Sequence, residues 1–170
     1  MPDPEILKKA KNHALKYLSY RDRSKWEITQ YLEKKKYTLP VIQQTLEYLE
    51  SLDYVDDKQF ALQWGRFKIN KKKLGRNRLY QELLNKGISQ EIIENILSVL
   101  YENTSEKQLA IECSHKKWTA LEGVESEKKK RRLCEYLKRK GFSADVIYQS
   151  LITLNMDVNA TQTHSIPDKD

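Results

Sequence analysis

YVDDKQFALQWGRFKINKKKLGRNRLYQELLNKGI, residues 54–88, decides the fold. It reads as two helices. Asp56 or Asp57 is placed to start the first by accepting a free backbone N–H. Phe60, Trp64 and Phe67 recur at i, i+4 and i+7, which puts three aromatics on one helical stripe and predicts that all three are core. The chain turns at Gly75, and a second helix runs through Leu79, Leu83 and Leu84. It stops at Gly87, a residue that takes the left-handed conformation at little steric cost. Between Lys58 and Gln81 there are eight Lys or Arg and no Asp or Glu, which marks this segment as the working surface.

The same pattern occurs on both sides of this stretch. With Leu32, Leu83 and Leu137 aligned, Leu46, Leu97 and Leu151 fall into register without a gap, at separations of 51 and 54 residues. Ile28, Leu79 and Leu133 coincide in that frame, as do Ile42, Ile93 and Ile147. So do Lys35, Lys86 and Lys140, each followed two residues later by Tyr37, Ile88 or Phe142. Lys36 stands where the other units have Gly87 and Gly141, so its turn either differs in shape or is strained.

Each unit reads as helix, helix, tight turn, helix. In the first, Ile6, Ala10, Ala14, Tyr17 and Leu18 share one face. Ser24-Lys-Trp-Glu27 is a capping box. Ile28 and Leu32 point inward, and Thr38 caps a third helix that carries Pro40, Val41, Ile42, Leu46 and Leu49. Five Gly and four Pro leave most of the chain free of breakers. The fold class is therefore all-α, an elongated array of three tandem three-helix repeats. The expected divisions are 1–54, 55–102 and 103–154, with a polar, disordered tail over 155–170.

The 170 residues carry a net charge of +7, which favours a polyanionic partner. Cys113 and Cys134 are the only cysteines, and they are expected as free thiols in a reducing cytoplasm. The opening MPDPEILKKAKNH has no apolar core, so no secretory leader is expected. No segment approaches the roughly 20 apolar residues of a membrane helix. His13, His115 and His164 are scattered, and no nucleophile context or phosphate loop is present, so neither an enzyme nor a cofactor is expected. Cys113, His115 and Cys134 lack metal-ligand spacing, and no metal is expected.

Binding is the better reading. Lys68, Lys71, Lys72, Lys73, Arg76 and Arg78 form a basic corner where the first helix of the middle unit must end. Lys128, Lys129, Lys130, Arg131 and Arg132 start the corresponding helix of the third unit, with Lys116 and Lys117 nearby. Cations at a helix start oppose the macrodipole, which argues for a functional reason. Tyr80 is the one aromatic considered as a stacking residue beside the corner. The third helices, 39–52, 89–101 and 143–154, hold no Lys or Arg, so they are poor recognition helices for base edges.

Tyr54-Val-Asp-Asp-Lys-Gln-Phe-Ala61, Leu74-Gly75-Arg-Asn-Arg-Leu79 and Glu82-Leu-Leu-Asn-Lys-Gly-Ile88 resemble the central signature of the RecX regulatory proteins. Arg21-Asp-Arg-Ser24 with Glu27, Lys116-Lys-Trp118 and Lys140-Gly-Phe142 agree with it, and the resemblance covers about residues 5–154. Arg76 departs from the small residue or Pro that often follows the signature Gly. The resemblance implies a bacterial modulator, usually an inhibitor, of the RecA recombinase. Such a protein lies in the groove of the RecA filament on single-stranded DNA and acts in recombination, repair and the SOS response. A monomer with no membrane attachment is expected. The alternatives are a basic DNA-binding protein acting without RecA and a helical scaffold for another partner.

Overall fold

The computed structural model describes residues 3–102 and 104–163, with side chains as far as Leu154. Among the described residues there are nine α-helices and no strands: α1 Pro4–Leu18, α2 Lys25–Lys34, α3 Leu39–Ser51, α4 Asp57–Lys72, α5 Arg76–Leu84, α6 Gln90–Glu102, α7 Glu106–Thr119, α8 Ser126–Lys140 and α9 Ala144–Thr163. The chain divides into two compact units, Met1–Gly65 with Gln81–Ile96, and Arg66–Tyr80 with Leu97–Asp170. Of the 155–170 tail, residues 155–163 continue α9, and residues 164–170 lie outside the described residues.

In the first unit α1, α2 and α3 pack pairwise. Ala14, Ile28, Leu32, Ile42, Leu49 and Val55 form a core cluster, with Tyr17, Tyr31, Tyr37 and Leu46 packed against it. Each fully buried Leu or Ile contributes about 1.5–3 kcal/mol. Tyr17 and Tyr31 stack with centroids 4.1 Å apart, and the Arg23 guanidinium lies 3.9 Å over the Tyr17 ring. Ile6, expected on the buried face of α1, is 44% exposed, because it lies a full turn before the first buried residue of that face, Ala10.

In the second unit α7, α8 and α9 pack pairwise, with α7 against α9 as the main contact. Leu109, Ala110, Cys113, Leu133, Leu137, Phe142, Ile147 and Leu154 are buried there. Ser114 and Ser150 are fully buried as well, 3.3 Å apart. Each hydroxyl donates to a carbonyl of its own helix, Ala110 O at 2.7 Å and Ile147 O at 2.8 Å, so two small polar residues sit in the core without orphaned donors.

Helix starts follow the sequence closely. The capping box of Ser24 and Glu27 is complete. Asp56 caps α4, its Oδ1 accepting from Lys58 N at 2.7 Å and Gln59 N at 3.1 Å. Asp57 instead accepts from Lys25 N at 2.9 Å. Thr38 occupies the N-cap position of α3 with no side-chain bond to the helix, so its expected capping role is not realised.

The three tight turns share one geometry. Tyr37 N, Ile88 N and Phe142 N donate to Leu32 O, Leu83 O and Leu137 O, each at 3.2 Å. One residue earlier, Lys36 N, Gly87 N and Gly141 N donate to Glu33 O, Leu84 O and Lys138 O. This paired pattern closes a helix with a left-handed residue between the two bonds. The φ angles there are +66° at Lys36, +72° at Gly87 and +90° at Gly141. Lys36 therefore makes the same turn as the glycines and carries the Cβ strain they avoid. Lys36→Gly is expected to raise stability by about 0.5–1 kcal/mol, read as a higher urea midpoint at unchanged m-value.

Two of these turns receive the start of an earlier helix. In the first unit Ser24 Oγ donates to Lys86 O at 2.6 Å, and a Cβ on Gly87 would collide with Trp26. In the second unit Gly75 N donates to Lys140 O at 2.8 Å and Asn77 N to Gly141 O at 3.1 Å. Ser24 and Gly75 occupy one register position, as do Lys86 and Lys140, so each joint repeats the other. Gly75 is required because a Cβ there would lie 2.6 Å from Gly141 C and O.

Candidate functional site

The basic corner begins at the end of α4. The buried residues of that helix are Phe60, Ala61, Gly65 and Ile69. Ala61, Gly65 and Ile69 recur every fourth residue and form the inward stripe. Phe67 is two residues from Ile69, about 200° around the helix, and so it faces out, 53% exposed. The expectation that Phe60, Trp64 and Phe67 are all core is corrected accordingly: Phe60 is buried, Trp64 is half-buried and Phe67 is on the surface. Ala61 and Gly65, small residues in line with Ile69, are the sequence signal that the aromatic reading passed over.

Around Phe67, Arg66, Asn70, Lys71 and Lys72 are exposed and Lys68 is half-buried. Asn70 and Lys71, at i+3 and i+4, are its neighbours on the helix surface. Arg66, Lys71 and Lys72 make no side-chain ion pair among the described residues. Lys73 takes a left-handed φ of +50° as α4 ends, and its ammonium pairs with Glu112 at 3.1 Å. The Lys140 ammonium donates to Lys72 O.

Two members of the corner serve the fold directly. Arg76 N donates to Glu106 Oε1 at 2.8 Å, so a carboxylate from α7 caps the start of α5. The Arg76 guanidinium donates to Leu97 O at 3.3 Å and lies 5.5 Å from the Tyr101 ring centre. Tyr101 in turn donates to Leu74 O at 2.8 Å, and burial pushes its hydroxyl pKa up. The backbone of Arg78 packs on Gly141, while its side chain is exposed. Tyr80 is half-buried.

The second cluster lies where α7 ends and α8 begins. Lys116, Lys128, Arg131 and Arg132 are exposed. Lys129 sits 4.2 Å over the Trp118 ring, and Lys117 lies 5.4 Å from the Tyr136 ring. Lys130 pairs with Glu127 at 3.4 Å on the open surface, an ion pair worth little by itself. Cys113 is buried and Cys134 half-buried, both free. Burial pushes the Cys113 thiol up, so it is a poor nucleophile. No His, Cys and carboxylate group with the makings of a metal site occurs among the described residues. Nor is any described helix long and apolar enough to cross a membrane.

Three three-helix domains in tandem, ending helices on the same turn and presenting clustered cations, define an all-α repeat protein. Residues 10–49, 56–97 and 105–151 match the family models for the first, second and third three-helix domains of RecX. A Regulatory protein RecX from Chlorobium phaeobacteroides is 35% identical over 144 residues, which cover 85% of this chain and 92% of that one. One from Bacillus cereus is 37% identical over 145 residues, 84% of this chain and 53% of that protein, so the chain spans about half the length of that relative. The crystal structure of RecX from Lactobacillus salivarius superposes with a TM-score of 0.79 at 26% identity, covering 89% of this chain and 98% of that one. The chain belongs to the RecX family of regulatory proteins.

Proposed function

We propose that this protein binds the RecA recombinase filament on single-stranded DNA and restrains its activity, acting in the cytoplasm as a monomer without catalysing a reaction. Membership of the RecX family carries the reading. The outward cations Lys71, Lys72, Arg78, Lys116, Lys128, Arg131 and Arg132 support it, because both DNA phosphate and an acidic protein face would attract them. Lys68, Lys73, Arg76, Lys117, Lys129 and Lys130 belong to the same two surfaces, and most of them also hold local structure. The repeat divisions 1–54, 55–102 and 103–154 are part of the proposal, with each repeat offering its cations from its first and second helices. That placement suits binding to backbone phosphate or protein and does not suit base reading.

The test is the single-stranded-DNA-dependent ATPase rate of the cognate RecA as this protein is titrated in. The expected result is inhibition at well under one molecule per RecA. An unchanged rate with filaments intact would overturn the proposal and leave a RecA-independent DNA-binding protein or a helical scaffold.

A further inference from the structure

We infer that Phe67 is a base-stacking residue, and that the exposed face of α4 around it binds single-stranded nucleic acid directly. The inference rests on the proposed function for its setting and gives that basic surface a defined ligand. Single exposed apolar residues are ordinary on a protein surface, and Tyr20, Tyr54 and Tyr148 are more exposed than Phe67, so what singles out Phe67 is the group of cations around it. Phe67 is 53% exposed although Ile69, two residues on, is 3% exposed and already anchors that turn of α4.

The surroundings decide what covers the ring. From residue 66 to 73 the chain reads RFKINKKK, five cations and no carboxylate. Arg66, Lys71 and Lys72 are exposed on either side of the ring, and Asn70 next to it supplies both a donor and an acceptor. A single strand offers the complementary pair, a phosphate for each cation and a flat base for the ring, and stacking accepts any base. Duplex DNA keeps its bases stacked inside, so it would engage the lysines and leave the ring unused.

Binding of the full-length protein to a fluorescein-labelled oligo-dT, without RecA, tests this by anisotropy across a salt series. Phe67→Ala is expected to weaken binding about 5- to 100-fold with the salt slope unchanged, and Phe67→Trp to restore affinity to within about threefold. Lys71→Ala with Lys72→Ala should instead flatten the slope, by roughly 0.7 for each phosphate no longer neutralised. Wild-type affinity in Phe67→Ala would overturn the inference, as would absence of oligonucleotide binding by the wild type. So would a Phe67→Ala protein that binds the oligonucleotide normally but no longer inhibits RecA, because the ring would then belong to a protein interface. Because the oligonucleotide assay contains no RecA, failure of the RecA reading would leave its result standing.

Discussion

Gly141→Ala is expected to lower stability by about 2–5 kcal/mol. Two costs combine at that position. The backbone holds φ at +90°, where a Cβ costs about 1–2 kcal/mol. That Cβ would also fall against the main chain at the start of α5, overlapping Arg78 N and Cβ and lying 2.8 Å from Arg78 Cα. Backbone at a helix start cannot swing aside as a side-chain tip does, so the overlap adds about 1–3 kcal/mol as overpacking. Yielding would break the bonds from Gly75 N and Asn77 N to this turn. Gly123 separates the two costs. It has φ at +80° with nothing within 4 Å of a built Cβ, so Gly123→Ala should lose only the conformational part. Urea unfolding of both variants gives the comparison. Equal losses would mean that the joint at Gly141 relaxes freely.

The repeat was legible because burial demands it. Leu32, Leu83 and Leu137 are each fully buried at the last turn of a second helix, and Ile42, Ile93 and Ile147 are buried on the third. Positions that must be apolar in every unit leave a period that survives changes elsewhere. The turn at Lys36 was only half legible, since a lysine conceals a left-handed residue that glycine would advertise. The joints were not legible at all, for Ser24 meets Lys86 O across 62 positions of sequence through a carbonyl that any residue would supply. On α4 the apolar count misled. Phe67 and Ile69 are both apolar, lie on nearly opposite faces, and differ only in which one small neighbours allow inward. The basic corner was visible as composition, but composition could not separate Arg76 and Lys73, held by Glu106, Leu97 and Glu112, from the outward Lys71 and Lys72.

Glu27→Gln is expected to cost about 3 kcal/mol at pH 7 and about 1 kcal/mol or less at pH 2.5. Glu27 is 7% exposed and lies between two cations. Arg21 reaches it through both guanidinium nitrogens, at 2.7 and 3.1 Å, and the Lys86 ammonium donates at 2.7 Å. Burial pushes the carboxyl up, but the hydrogen bonds and charges of Arg21 and Lys86 outweigh it and hold the carboxyl down at about 2. The unfolded chain, with an ordinary carboxyl near 4.5, takes up a proton first as pH falls. The stabilisation is therefore complete above about pH 4.5 and disappears as pH drops toward 2, a difference of about 3 kcal/mol. Glutamine keeps the shape and an acceptor for Ser24 N, so the capping box survives while the anion between Arg21 and Lys86 is lost. Removing one partner from a buried ion pair is costly in this way because the remaining charges stay partly desolvated. Urea midpoints of wild type and Glu27→Gln across pH 7 to 2.5 should converge as the acid limb is entered. A gap that stays constant with pH would assign the effect to packing and hydrogen-bond shape, and the joint between Ser24 and Lys86 would then not depend on charge.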